Sequence, residues 1–151
     1  MFLGILRRKK MEKIFVLLVL FQIKHFLADY PLQTEYMLGK FKDGKQFILP
    51  LAAHAATHAL FTFCLAYVFS QSLKLSATLA MFDLTVHFIM DRIKAGKKYL
   101  GRYKPLTATE FPRATETQKR HNKYFWWSLG FDQMIHHLCH YAIIAIIVFH
   151  T

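Results

Sequence analysis

An all-α integral membrane fold, a four-helix up-and-down bundle, is what this sequence predicts, and three observations lead there. Hydrophobic residues make up 54% of the 151-residue chain and mean hydropathy is +0.22, although the formal charge is +11. Apolar surface and charge must therefore occupy separate stretches, which excludes a disordered tail or linker. Gly (6) and Pro (4) are scarce, which suits long helices better than sheets and turns. Four apolar segments, at residues 14–30, 47–69, 73–94 and 124–150, alternate with polar ones.

Residues 1–13 form a basic N-terminal segment with Arg7, Arg8, Lys9, Lys10 and Lys13, and residues 14–151 form one domain. The first apolar segment opens with ten uncharged residues, then admits Lys24, His25 and Asp29 before Pro31 stops the helix, so it is short for a full crossing. Its basic flank imitates a signal peptide, but Phe26 stands where cleavage before Ala28 needs a small residue, and the segment is expected to stay in the mature protein. The second segment has 23 residues without Asp, Glu, Lys or Arg, with Pro50 in its first turn, and reaches across ~30 Å of hydrocarbon. The third and fourth have spanning length too, and a tight turn at 70–72 joins the second to the third. Cys64 and Cys139 lie inside apolar runs and read as core packing.

Loops 31–46 and 95–123 hold the cations. Residues 92–123 carry ten Lys and Arg against two Glu, and the first loop adds Lys40, Lys42 and Lys45. Positive charge flanking spans marks the cytoplasmic side, so both loops are expected there, with Tyr124, Phe125, Trp126 and Trp127 as an interfacial belt. The basic N-terminal segment falls on the opposite side if the first helix crosses fully, and on the same side if it makes a half-crossing. Orientation in a bilayer with anionic headgroups accounts for the basic excess, so the expected partners are the lipid bilayer and those headgroups, with no specific nucleic acid.

The chemistry lies in histidine and aspartate. Nine His and five Asp in 151 residues give about 1.3 pairs at spacing i, i+4 by chance, the spacing that stacks side chains on one helix face. Six occur: His25/Asp29, His54/His58, Asp83/His87, His87/Asp91, Asp132/His136 and His136/His140. In an up-and-down bundle all of them fall toward the loop side, with His54, His87 and Asp132 each about eight residues, or ~12 Å, from it. Asp inside a spanning helix costs ~2.5–3.5 kcal/mol, and a divalent cation offsets that directly because carboxylate and neutral imidazole are its ligands. The candidate metal-ligating residues are His25, Asp29, His54, His58, Asp83, His87, Asp91, Asp132 and His136, and the cofactor is Zn, Mn or Fe. Gln33 and Gln133 are candidate partners of the ligands, and Arg92 and Lys94 sit at the mouth where a headgroup phosphate would arrive. His–Asp pairs also serve as interhelical hydrogen bonds without metal. His121 and His150 read as solvated, and His137 as facing away from the Asp132/His136/His140 stripe.

Four ordered motifs, HFLADYPLQ from His25, HAATH from His54, HFIMDRIK from His87 and FDQMIH from Phe131, resemble an uncharacterised family of small bacterial and phage integral membrane proteins, domain of unknown function 3307. The resemblance covers nearly the whole chain after Met11 and implies a membrane fold in the bacterial inner membrane; it brings no reaction. More loosely, the scheme is similar to membrane-embedded metal-dependent hydrolases. The Ser-His box of the seven-helix lipid hydrolases, the eight-histidine set of the di-iron desaturases and the phosphotransferase Asp-Gly-Ala-Arg string are absent. If the chain is an enzyme, the expected reaction is metal-dependent hydrolysis of a lipid or its headgroup, with Asp91 or Asp132 as general base. The alternative is a non-enzymatic ion or proton conduit, or an interaction protein, whose His/Asp network is structural.

Overall fold

The computed structural model describes residues 2–95, 106 and 110–150, and all its regular structure is helical. Four long helices, α1 (Phe2–Asp29), α2 (Ile48–Ser70), α3 (Leu73–Ala95) and α5 (Lys123–His150), are joined by short elements and a five-residue α4 (Glu116–Arg120). Helix α1 starts twelve residues before the predicted position 14, because residues 7–13 are good helix formers and Arg8 pairs with Glu12 one turn on, at 3.0 Å. The first loop contains a 3-10 turn (Met37–Phe41), and α4 is fixed by a capping box between Thr115 and Gln118. Of the cations assigned to the second loop, Lys97, Lys98, Arg102 and Lys104 lie outside the described residues.

Neighbouring helices run antiparallel. Helix α2 is capped by Gln71, whose φ of 55° is left-handed, and α3 begins two residues later, so the two lie side by side. Helix α1 packs on α2 and α5, and α3 on α5. Helix α2 buries Ala55, Ala59 and Ala66, and α3 buries Ser76 and Ala80, small residues that let backbones approach closely.

The interior divides along the helix axes. Toward the turn at 70–72 it is apolar, with Leu17 and Phe21 of α1, Ala66, Leu79, and Cys139, Ile143, Ile144, Ile147 and Val148 of α5. Toward the loops it is polar. The outer surface is rich in large apolar side chains, among them Phe15, Leu49, Leu60, Met81, Leu138 and Phe149, the reverse of a water-soluble bundle. Among the described residues, α2, α3 and Trp126–His150 are long and apolar enough to cross a membrane. Cys139 is buried as expected, but Cys64 is exposed, because it lies on the face of α2 opposite the buried stripe Ala55, Ala59, Thr62 and Ala66.

Candidate metal centre

Three helices carry a polar stripe of one residue per turn: His54, His58 and Thr62 on α2; Asp83, His87 and Asp91 on α3; Asp132, His136 and His140 on α5. Helix α1 adds Lys24, His25 and Asp29. The antiparallel arrangement stacks these stripes into three levels. All but Asp29 are buried, and the Asp29 side chain is 16% exposed.

At the deepest level Asp83 Oδ2 accepts from Lys24 Nζ at 2.7 Å and from Thr62 Oγ1 at 2.7 Å. Its Oδ1 lies 3.2 Å from His87 Nδ1 and 3.8 Å from His140 Nε2, and Lys24 Nζ reaches His140 Nε2 at 3.1 Å. The middle level is a pile of imidazoles. The His87 ring stacks on His58 at 3.8 Å between centroids and on His136 at 4.1 Å, while His25 meets His58 and His136 edge-on at 5.6 Å.

The level nearest the loops holds three carboxylates. Asp29 faces imidazoles: His58 Nε2 at 3.0 Å, His54 Nε2 at 3.4 Å and His25 Nε2 at 3.2 Å. Asp91 Oδ2 takes Lys40 Nζ at 3.1 Å and lies 3.0 Å from His54 Nε2. Asp132 Oδ2 takes Lys94 Nζ at 2.6 Å, and its Oδ1 is 4.0 Å from His136 Nε2.

Four groupings bring three possible ligand atoms within 4.8 Å of one another: His25/His87/His136, His25/Asp29/His58, Asp83/His87/His140 and Asp91/Asp132/His136. The all-imidazole grouping shares one member with each of the others, so the four form one connected cluster. Eight buried ring nitrogens in and beside it are left without a well-aligned hydrogen bond: Nδ1 of His25, His54, His58, His136 and His140, and Nε2 of His54, His87 and His136. Neutral imidazole carries one lone pair and one N–H, and burying either without a partner costs about 1–3 kcal/mol. A divalent ion would satisfy the lone pairs, so the donor set fits a metal.

Eight of the nine residues expected as ligands belong to this cluster, and the ninth, His54, lies beside it with its Nε2 3.4 Å from Asp29 and 3.0 Å from Asp91. Gln33 Oε1 accepts from Lys40 at 3.0 Å, and Gln133 Oε1 lies 2.8 Å from His25 Nε2. Lys94 is engaged with Asp132, and the Arg92 guanidinium lies over the Phe47 ring at 3.5 Å. His121 and His150 are exposed. His137 is half-buried rather than turned away, 3.3 Å from Gln22 and with its ring 5.3 Å from that of His25.

Sequence reasoning missed Lys24, Lys40, Thr62 and the full burial of His140. Lys24 left a signal, a cation one residue before a motif histidine in an otherwise uncharged run. Lys40 left none, since a loop lysine is ordinarily solvated. These lysines also change the argument from burial: Asp83, Asp91 and Asp132 each have an ammonium partner, so a metal is not required to neutralise them.

Fold and cluster together define a class: an all-helical chain, three of its helices long and apolar enough to cross a membrane, with buried His/Asp groupings that could hold a metal ion. The chain belongs to the family described as "Protein of unknown function (DUF3307)", whose model matches residues 17–151, a stretch that includes every residue of the cluster. No curated protein and no solved structure matches it.

Proposed function

We propose that this chain crosses the bacterial inner membrane as a four-helix up-and-down bundle, loops 31–46 and 95–123 on the cytoplasmic side, and holds a divalent metal ion in the polar half of its interior. The observation that carries the reading is the set of eight buried imidazole nitrogens without well-aligned hydrogen bonds. Imidazole with carboxylate selects Zn, Mn or Fe. Bound there, such an ion would polarise an ester or phosphoryl oxygen and lower the pKa of water, the chemistry of a hydrolase acting on a lipid or its headgroup. Asp132 is the better general base: Lys94 holds its Oδ2 but its Oδ1 is buried and makes no hydrogen bond, whereas the Oδ2 of Asp91 is shared between Lys40 and His54. Arg92, near the loop end of α3, would meet the headgroup on leaving the Phe47 ring.

Metal content of the protein purified in detergent, measured by mass spectrometry after supplementation, tests the reading. At least one stoichiometric ion per chain is expected, and none would defeat it. Metal without turnover of lipid esters or phosphomonoesters would keep the site and remove the hydrolase.

The three lysine–aspartate pairs favour a second reading, a network that only ties helices together. In that case no metal is found and the His54→Leu/His58→Leu double variant stays folded, because desolvation is removed along with the contacts.

A further inference from the structure

We infer that one divalent ion binds at Asp29, held by His25, Asp29 and His58 with His54 as fourth donor, and that the other carboxylate groupings are filled by lysine ammonium groups of the chain itself. The inference rests on the metal reading above and narrows its ligands from nine to four.

In the Asp83/His87/His140 grouping, Lys24 Nζ already sits 2.7 Å from the carboxylate and 3.1 Å from the His140 nitrogen. In the Asp91/Asp132/His136 grouping, Lys40 Nζ is 3.1 Å from one carboxylate and Lys94 Nζ 2.6 Å from the other. A divalent ion in either place would stand beside an ammonium in surroundings that screen poorly. The His25/His87/His136 grouping has no lysine, but it brings no carboxylate either, so an ion there would sit farther from the unmatched negative charge.

That charge is on Asp29. Its ion-pair partners among the described residues are three histidines. With neutral imidazoles, three lysines against four aspartates leave one negative charge, which attracts a cation to Asp29.

Spacing is close to that of a metal site. Donors bound at 2.0–2.2 Å to a tetrahedral ion stand about 3.3–3.6 Å apart. The Nε2 atom of His54 lies 3.4 Å from an Asp29 oxygen, and those of His25 and His58 lie nearer, at 3.2 and 3.0 Å, while the ligand atoms of His25, Asp29 and His58 all fall within 4.8 Å of one another. His54 is the telling residue. It has no solvent exposure, and its Nε2 lies 3.4 Å from an Asp29 oxygen and 3.0 Å from an Asp91 oxygen. A neutral imidazole lone pair turned toward two carboxylates is stabilised by a cation between them, and a metal ion at Asp29 would supply one.

The test loads the full-length protein in detergent with Zn²⁺ or Co²⁺ and reads stoichiometry by mass spectrometry and, for Co²⁺, the visible absorption of a four-coordinate site. One ion per chain is expected. Asp29→Asn and, independently, His54→Gln should weaken binding at least ~10–100-fold, while the double variants Lys24→Met/Asp83→Leu and Lys94→Met/Asp132→Leu retain the ion. X-ray absorption of the zinc-loaded wild-type protein, which needs no variant to fold, should give a shell of two or three imidazoles with oxygen. Retention in Asp29→Asn with loss in either double variant, or a shell without imidazole, would overturn the assignment and leave metal binding standing. A wild-type protein that takes up no metal would end both.

Discussion

Lys24 and Asp83, 59 residues apart in the sequence, meet at 2.7 Å with side chains 1% and 0% exposed. The pair joins α1 to α3, and Thr62 of α2 donates to the same carboxylate oxygen, so one aspartate ties three helices together. Removing the lysine alone leaves a buried carboxylate without its cation. Lys24→Met is therefore expected to cost about 3–5 kcal/mol, and Lys24→Met/Asp83→Leu to recover most of that. Unfolding in mixed detergent micelles measures both, and a single variant as stable as wild type would contradict the role of the pair.

The 3-10 turn Met37–Phe41 lies against the start of α2 and delivers Lys40 to Asp91. Its seat is tight: a Cβ on Gly39 would come 2.8 Å from Pro50 Cγ and 3.1 Å from Pro50 Cβ, part of a rigid ring. Gly39→Ala should cost about 1–3 kcal/mol and lift the turn, which faster limited proteolysis within residues 31–46 would report. Unchanged proteolysis would mean that the turn is not held there.

Topology is open to labelling in a background with Cys64 and Cys139 replaced. Gln71→Cys is expected to react from outside the cell and Lys42→Cys from inside. Lys13 Nζ donates to Phe69 O at 3.0 Å, which puts the basic end of α1 beside the 70–72 turn, so Arg8→Cys should label with Gln71→Cys. Labelling of Arg8→Cys with Lys42→Cys would contradict that placement.

Metal that binds only the folded chain stabilises it by mass action, about 2.7 kcal/mol at free metal one hundred times Kd. Thermal unfolding should therefore shift upward on zinc addition and fall back on chelation. In His54→Leu/His58→Leu the shift should vanish. A shift of equal size in that variant would place the ion elsewhere.

How much of this was legible in the chain depends on the range of the forces involved. Helix positions, the turn at 70–72 and the inward stripes follow from local pattern: a run of apolar residues lacking Gly and Pro makes a helix, and i, i+4 spacing puts His54 and His58, or Asp132 and His136, on one face. Depth from the loops follows from counting residues. Which residue faces which does not, because a register between helices depends on crossing geometry and side-chain reach that no single helix contains. His87 stacking between His58 and His136 was set by that register. The lysines were set by it too. Lys24 reads as an awkward charge in α1 and Lys40 as an ordinary loop residue until the fold brings each within 3.1 Å of an aspartate on α3. The sequence by itself determined that charge would be buried toward the loop side. Only the tertiary structure decided which carboxylates are matched by ammonium groups and that Asp29 is left facing imidazoles, because neutralisation acts across space between residues that the chain keeps far apart.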